Sequence, residues 1–290
     1  VLLRRPPMLQ ILLHTVPAIK VALLANHDPA AWSGSCADSA ATKAACNTRL
    51  YDQAISVAAA GGADLVHFPE AYGLQSIHDP FEPFASANGS QPCAASSSAS
   101  PQQLGVACSA ARYNVSVAAN FFVMLSNGTK RIMEIIYDWK GSVVSSYSKH
   151  HLVPLFESAF AESGPFAPTT FVIGGVRFGI VVCYEGVYPS LFGDWSQFDA
   201  LLAQGADAIL WAIGDMVPDD HVATDISKKY STIVLASENT HAAVAVDAEG
   251  QGIALTTTPL AVSNYTAQAA VSMAEVALPL RVRFGLVESL

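Results

Sequence analysis

Residues 19 to 69 run as apolar strand, Ala-rich helix and apolar strand, and this order constrains the fold more than any other feature of the chain. "IKVALLA" (19–25) reads as a buried strand. "ATKAACNTRLYDQAISVAAA" (41–60) has helical spacing, and Gly61-Gly62 stops it. "ADLVHFP" (63–69) is a second strand, ended by Pro69. Strand, helix, strand implies a layered α/β fold. Such a fold needs a large core, and the chain supplies one: 51% of its 290 residues are hydrophobic and 13% charged.

The rest of the chain continues the alternation. Residues 85–103 are Ser/Ala/Gln/Pro-rich and read as a surface insertion over the site entrance. "LGVACSAARYN" predicts a helix and "VSVAANFFVML" a strand. Residues 131–147 read as a hairpin, as does "TTFVIGGVRFGIVVC" with Gly174-Gly175 at its turn, so the sheet is not purely parallel. Residues 190–204, after Pro189, look helical. "ADAILWAI" is a strand, "HVATDISKKYS" a helix, and "TIVLASENTHAAVAVDAEG" a strand pair. There is no repeat and no linker, which predicts one domain over 18–290. Residues 1–17, "VLLRRPPMLQILLHTVP", are either a signal remnant or a plain extension. The net charge of −9 and the lack of a Lys/Arg cluster exclude a nucleic-acid partner. No run of about 18 apolar residues predicts a membrane span.

Three strand ends finish in a reactive group. Glu70 follows "LVHFP", Lys149 follows "SYS", and Cys183 follows "FGIVV". A carboxylate beside a thiol can take its proton. An ammonium beside it lowers the thiol pKa and can hold an oxyanion.

These segments resemble the nitrilase superfamily, carbon–nitrogen hydrolases with a Glu-Lys-Cys triad. The resemblance spans roughly residues 18–260 and rests on Pro-Glu after a strand, Lys before "HHLVP", and Cys-Tyr-Glu after "GIVV". It implies an α/β fold of mixed sheets, an α-β-β-α sandwich that forms four layers. It implies that Cys183 is the nucleophile, Glu70 the base and Lys149 the oxyanion holder. The backbone N–H of Tyr184 assists, and Glu157 orients the lysine or the substrate. The reaction implied is hydrolysis of a small linear amide through a Cys thioester, with no metal or organic cofactor. Two alternatives are transfer of the same acyl group to an amine, and a non-catalytic binding protein that kept the fold. "KHHLVPLFE" and "CYEGVYP" resemble the apolipoprotein N-acyltransferase branch. "AILWAIGDMVP" (208–218) resembles the vanin and biotinidase branch, whose secreted members cleave pantetheine or biotin amides and usually carry a further C-terminal domain. A monomer and a homodimer are both compatible with the resemblance.

The cysteines and sequons bear on compartment. Cys36 lies near Cys46 and Cys93 near Cys108, while Cys183 stands alone. An even set plus one suggests two disulfides and a free thiol, although four cysteines allow three pairings. Asn88, Asn114, Asn127 and Asn264 each head an acceptor sequon. Together they favour a secreted or luminal protein over a cytoplasmic one.

The other candidates have plainer readings. His150 and His151 suggest a metal site with His221, but neighbours on an extended segment point apart. Asp215, Asp219, Asp220 and Asp225 lack the spacing of a calcium loop and read as a solvated helix start. Trp211, Tyr72 and Tyr184 are expected to line the pocket or the core.

Overall fold

A computed structural model describes residues 18–25, 33–70, 81–85, 93, 99–214, 220–265 and 268–278. Strands β1 (Ala18–Ala25), β2 (Leu65–His67), β3 (Glu82–Pro83), β4 (Ser116–Met124), β5 (Lys130–Tyr137) and β6 (Val143–Ser148) come first. Strands β7 (Thr170–Ile173), β8 (Val176–Val182), β9 (Ala208–Ile213), β10 (Ile233–Glu238), β11 (Val244–Val246), β12 (Thr256–Leu260) and β13 (Ala269–Ala277) follow. Their path runs β6-β5-β4-β2-β1-β10-β9-β8-β7, with β3 on β4, β11 on β10, β13 on β1 and β12 on β13. The link between β1 and β10 is a single pair, Ala25 with Glu238. The path therefore folds there into two sheets. Its far ends, β6 and β7, also meet, so the sheet is nearly closed. Parallel ladders (β1–β2, β2–β4, β8–β9, β9–β10) mix with antiparallel ones (β4–β5–β6, β7–β8, β1–β13).

Period-two alternation sorts the side chains into layers. Ile19, Val21 and Leu23 of β1 meet Phe178, Ile180 and Val182 of β8 in a core between the sheets. Ala22 and Leu24 point the other way, against Leu50, Tyr51 and Ile55 of α1 (Ala40–Ala60) and, with β4, against Val106 and Ala110 of α2 (Pro101–Tyr113). Val181, Ile209 and Val234 face α3 (Tyr184–Phe192), α4 (Ser196–Ala203) and α5 (Asp220–Tyr230). This is the α-β-β-α sandwich that the sequence implies.

Two helix starts and two strands differ from expectation. The helix after Cys183 begins at Tyr184, not past Pro189, and Pro189 lies inside it. Pro189 is the sixth of its nine residues, so the helix lacks the ladder bond that an N–H there would make to the Glu185 carbonyl. Helix α2 begins at Pro101, inside the expected insertion, because Glu82 accepts from the backbone N–H groups of Gln102 and Gln103 and caps it. Most of the remaining insertion and all of the N-terminal segment 1–17 lie outside the described residues. Strands β12 and β13 were not expected. Their Ala- and Thr-rich sequences carry little apolar signal, yet β13 pairs β1 along all eight of its residues.

Candidate active site

Four of the expected groups meet where strands end. Glu70 follows β2 through Pro69, Lys149 follows β6, and Cys183 follows β8. Glu157 opens a short 3-10 turn. All four are buried. Lys149 Nζ donates to Glu70 Oε1 at 2.7 Å and to Glu157 Oε1 at 2.6 Å. The Cys183 thiol sits in the same cluster, close enough for Glu70, Lys149 and Glu157 all to act on its charge. The second oxygen of Glu157 accepts from Val153 N at 2.8 Å, which fixes the turn that carries it.

The backbone explains why the thiol is presented. Cys183 sits at φ 46° and ψ −109°, a region a non-glycine residue enters only under constraint. Its N–H donates to Ala212 O at 2.7 Å. Its carbonyl accepts from Trp211 Nε1 at 2.9 Å and from Gly186 N at 3.0 Å. Gly186 has to be glycine, since a Cβ there would lie 2.2 Å from the Trp211 ring. Trp211 is thus core that clamps the elbow, rather than pocket lining. Gly214 is equally confined: its Cβ would reach within 2.6 Å of Glu70 Oε2.

Electrostatics follow from burial. Desolvation raises the Glu70 pKa to about 7; Lys149 pulls it down and Glu157 pushes it up. Burial lowers the Lys149 pKa, but Glu70, Cys183 and Glu157 outweigh it and keep the ammonium charged. Burial and then Glu70 raise the Cys183 thiol, which Lys149 opposes. The resting thiol therefore holds its proton next to a carboxylate able to take it.

A second buried polar group lies behind Glu70. His67 Nε2 is 3.7 Å from Glu134 Oε1, Asn120 Nδ2 donates to Glu134 Oε2 at 3.0 Å, and Ser237 Oγ contacts His67 Nδ1 at 3.0 Å. Burial lowers His67 to about 3 and raises Glu134 to about 8, Glu70 adding to the latter. Burial thus disfavours the charged form of both groups at this contact.

The remaining candidates are placed as follows. Tyr184 is the first residue of α3 and is nearly buried. His150 and His151 do not point apart. The chain has left β6 by then, and their rings touch edge to face at 4.5 Å. His150 Nδ1 bonds the Gly164 carbonyl and His151 stacks on Tyr188, while His221 lies on α5. Among the described residues no group of three or more His, Cys, Asp or Glu could hold a metal ion. Asp220 and Asp225 lie on α5; Tyr72, Asp215 and Asp219 lie outside the described residues. Disulfides join Cys36 to Cys46 and Cys93 to Cys108, and Cys183 is free. Asn114, Asn127 and Asn264 are exposed, and Asn88 lies outside the described residues. No helix among the described residues is long and apolar enough to cross a membrane.

A buried thiol, carboxylate and ammonium in mutual reach form the chemical kit of an acyl-transfer centre. The chain belongs to the carbon–nitrogen hydrolase family, of the nitrilase superfamily, whose sequence model matches residues 35–207. That span holds Glu70, Lys149, Glu157 and Cys183. The chain is 26% identical over 172 residues to Hydrolase Rv0480c of Mycobacterium tuberculosis, and the match covers 56% of this chain and 55% of that protein. It thus spans about half the length of the curated relatives it matches. Its fold is similar to an amidase from Nesterenkonia sp., with TM-score 0.63 and 19% identity over 92% of this chain and 93% of that one. It is also similar to a variant of that amidase carrying the acetamide moiety of fluoroacetamide on its active-site cysteine, with TM-score 0.64 and 18% identity over 90% and 93% of the two chains.

Proposed function

We propose that the protein is a thiol amidohydrolase acting on small linear amides. The observation that carries this is the buried cluster in which Lys149 bridges Glu70 and Glu157 beside the buried free thiol of Cys183. Glu70 takes the thiol proton, and the thiolate attacks the amide carbon. Lys149 and the Tyr184 N–H hold the oxyanion that forms. Glu70 returns the proton to the nitrogen, the C–N bond breaks and the amine leaves. Water, deprotonated by Glu70, then cleaves the thioester, and the thiol regains its proton. Glu157 keeps Lys149 in place.

The test is amine release from acetamide, butyramide, pantetheine and biotin amides across pH. Glu70 acts as a base only when unprotonated, and its pKa is raised to about 7. Activity kcat/KM is therefore expected to fall as pH drops through about 7. No turnover of any linear amide, or a flat profile there, sinks the reading. Product diverted by added amine would assign acyl transfer instead.

Within that class, a secreted, vanin- or biotinidase-like amidase is the specific reading. Two disulfides and the exposed sequon residues Asn114, Asn127 and Asn264 support an oxidising, glycosylating compartment. Alkylation of the native protein with iodoacetamide, then peptide mapping without reduction, should label Cys183 alone and recover two disulfide-linked peptides. Four alkylated cysteines at 36, 46, 93 and 108 would place the protein in a reducing compartment.

A further inference from the structure

Glu185 is 1% exposed and takes no part in the steps above. Its carboxylate nevertheless gathers five hydrogen bonds. Oε1 accepts from Tyr147 Oη at 2.6 Å, His150 N at 2.8 Å and His151 N at 3.2 Å. Oε2 accepts from Val182 N at 3.0 Å and Gln197 Nε2 at 3.2 Å.

The donors explain themselves by topology. On β8, pairing with β7 ends at Thr170 and Gly179, followed by one bond from Ile180 N to Thr169 O. Val182 N–H has outrun its partner strand. On the other side, β6 ends its sheet path and the chain leaves it at Ser148. The N–H groups of His150 and His151 have no ladder to join. Buried N–H groups require acceptors, and one carboxylate serves all three. Val182 lies on β8, and His150 and His151 follow the end of β6. Val182 immediately precedes Cys183, and His150 immediately follows Lys149. Tyr147, two residues before the lysine, is held as well.

We propose that Glu185 is a positioning residue that ties the Lys149 end of β6 to the Cys183 end of β8 and so fixes the ammonium against the thiol. It does not touch the reacting atoms. Gln197 adds a weaker link, from Tyr147 Oη at 3.1 Å to the Ile180 carbonyl at 3.5 Å, but among the described residues only the Glu185 carboxylate accepts from both backbones here, and a neutral amide cannot substitute. Gln at 185 would turn an N–H₂ toward two or three N–H or O–H donors. Asp is one methylene shorter and cannot reach both sides at once.

The experiment compares E185Q, E185D and Y147F with wild type and with D52N. Asp52 joins α1 to α2 through Ser109, Arg112 and Tyr113, away from the site, and D52N controls for loss of stability alone. Two rates are read on folded protein: amide turnover, and Cys183 alkylation by iodoacetamide followed by mass spectrometry. For E185Q, kcat should fall about a hundred-fold with KM unchanged, the size expected when reacting groups shift by about an ångström. Its alkylation near neutral pH should slow roughly tenfold, as a one-unit rise in thiol pKa gives. E185D and Y147F should lie between E185Q and wild type, and D52N should match wild type in both rates. If E185Q keeps both rates, or loses them only as D52N does, Glu185 is a structural cap and the proposal is overturned. If E185Q does not fold, Y147F decides: wild-type rates there overturn the proposal, and reduced rates uphold it. The turnover readout rests on the amidase reading, but alkylation does not. Wild-type protein that hydrolyses no amide therefore removes that reading and leaves Glu185 to be judged by alkylation.

Discussion

Cys183→Ala is expected to lose amide turnover by on the order of a million-fold, the effect of deleting a nucleophile from a site that works as a unit. The fold should survive. The thiol is buried, and the strain at φ 46° belongs to the backbone, whose clamps are main-chain atoms of residue 183, Ala212, Gly186 and the Trp211 indole. Alanine keeps all of them. Thermal unfolding of the variant should therefore stay near wild type while covalent capture by fluoroacetamide disappears. Retained turnover would mean that the nucleophile lies elsewhere. A large drop in melting temperature would mean that the thiol is a packing group.

Lys149→Met is the second large effect, and it strikes stability and activity together. The ammonium is fully buried between two carboxylates, 2.7 Å and 2.6 Å away. Breaking a buried ion pair from one side costs about 3–5 kcal/mol, because the remaining charge is left without a partner. If Lys149 holds the oxyanion as proposed, its loss should lower kcat by about a thousand-fold. The pH dependence has a definite sign. Lys149 is the main group holding Glu70 down, so without it the folded pKa of Glu70 rises above about 7, further from its unfolded value. A group whose folded carboxyl pKa is raised binds its proton more tightly when folded. Stability of the variant is thus greatest at acid pH and declines as pH rises toward the folded pKa. Melting curves across pH test this. A variant whose stability relative to wild type does not change with pH would show that the carboxylates have found other partners.

Much of the candidate site was legible in the sequence because Glu70, Lys149 and Cys183 each follow a strand-like run. A strand end at the lip of a parallel sheet is where an α/β fold presents groups to a ligand. Glu70 and Cys183 stand there, Lys149 ends β6, which pairs β5 antiparallel, and Glu157 lies close enough along the chain to turn back. Glu185 was not legible. An acid in the first turn of a helix has an ordinary local reading, and its partners at Tyr147, His150, His151 and Gln197 are remote in sequence. His67 and Glu134 were hidden for a related reason. They are polar residues on inward-facing strand positions, and only cross-strand neighbours such as Asn120 reveal what satisfies them. The two histidines after Lys149 misled because strand alternation was applied past the point where the strand stops. Strands β12 and β13 escaped notice because alanine and threonine carry weak apolar periodicity, and register against β1 decides their state.

The pairing of β13 with β1 has a consequence for synthesis. One of the earliest described strands, Ala18–Ala25, is completed by Ala269–Ala277, one of the last. Until that late segment leaves the ribosome, an apolar strand edge next to β2 stays open, while Glu70, Lys149 and Cys183 have already emerged. Contacts this distant along a chain form slowly, and unpaired edges invite association with other chains. The nascent protein must therefore keep Ala18–Ala25 shielded until Ala269–Ala277 has been made, a natural task for a chaperone that binds extended apolar segments.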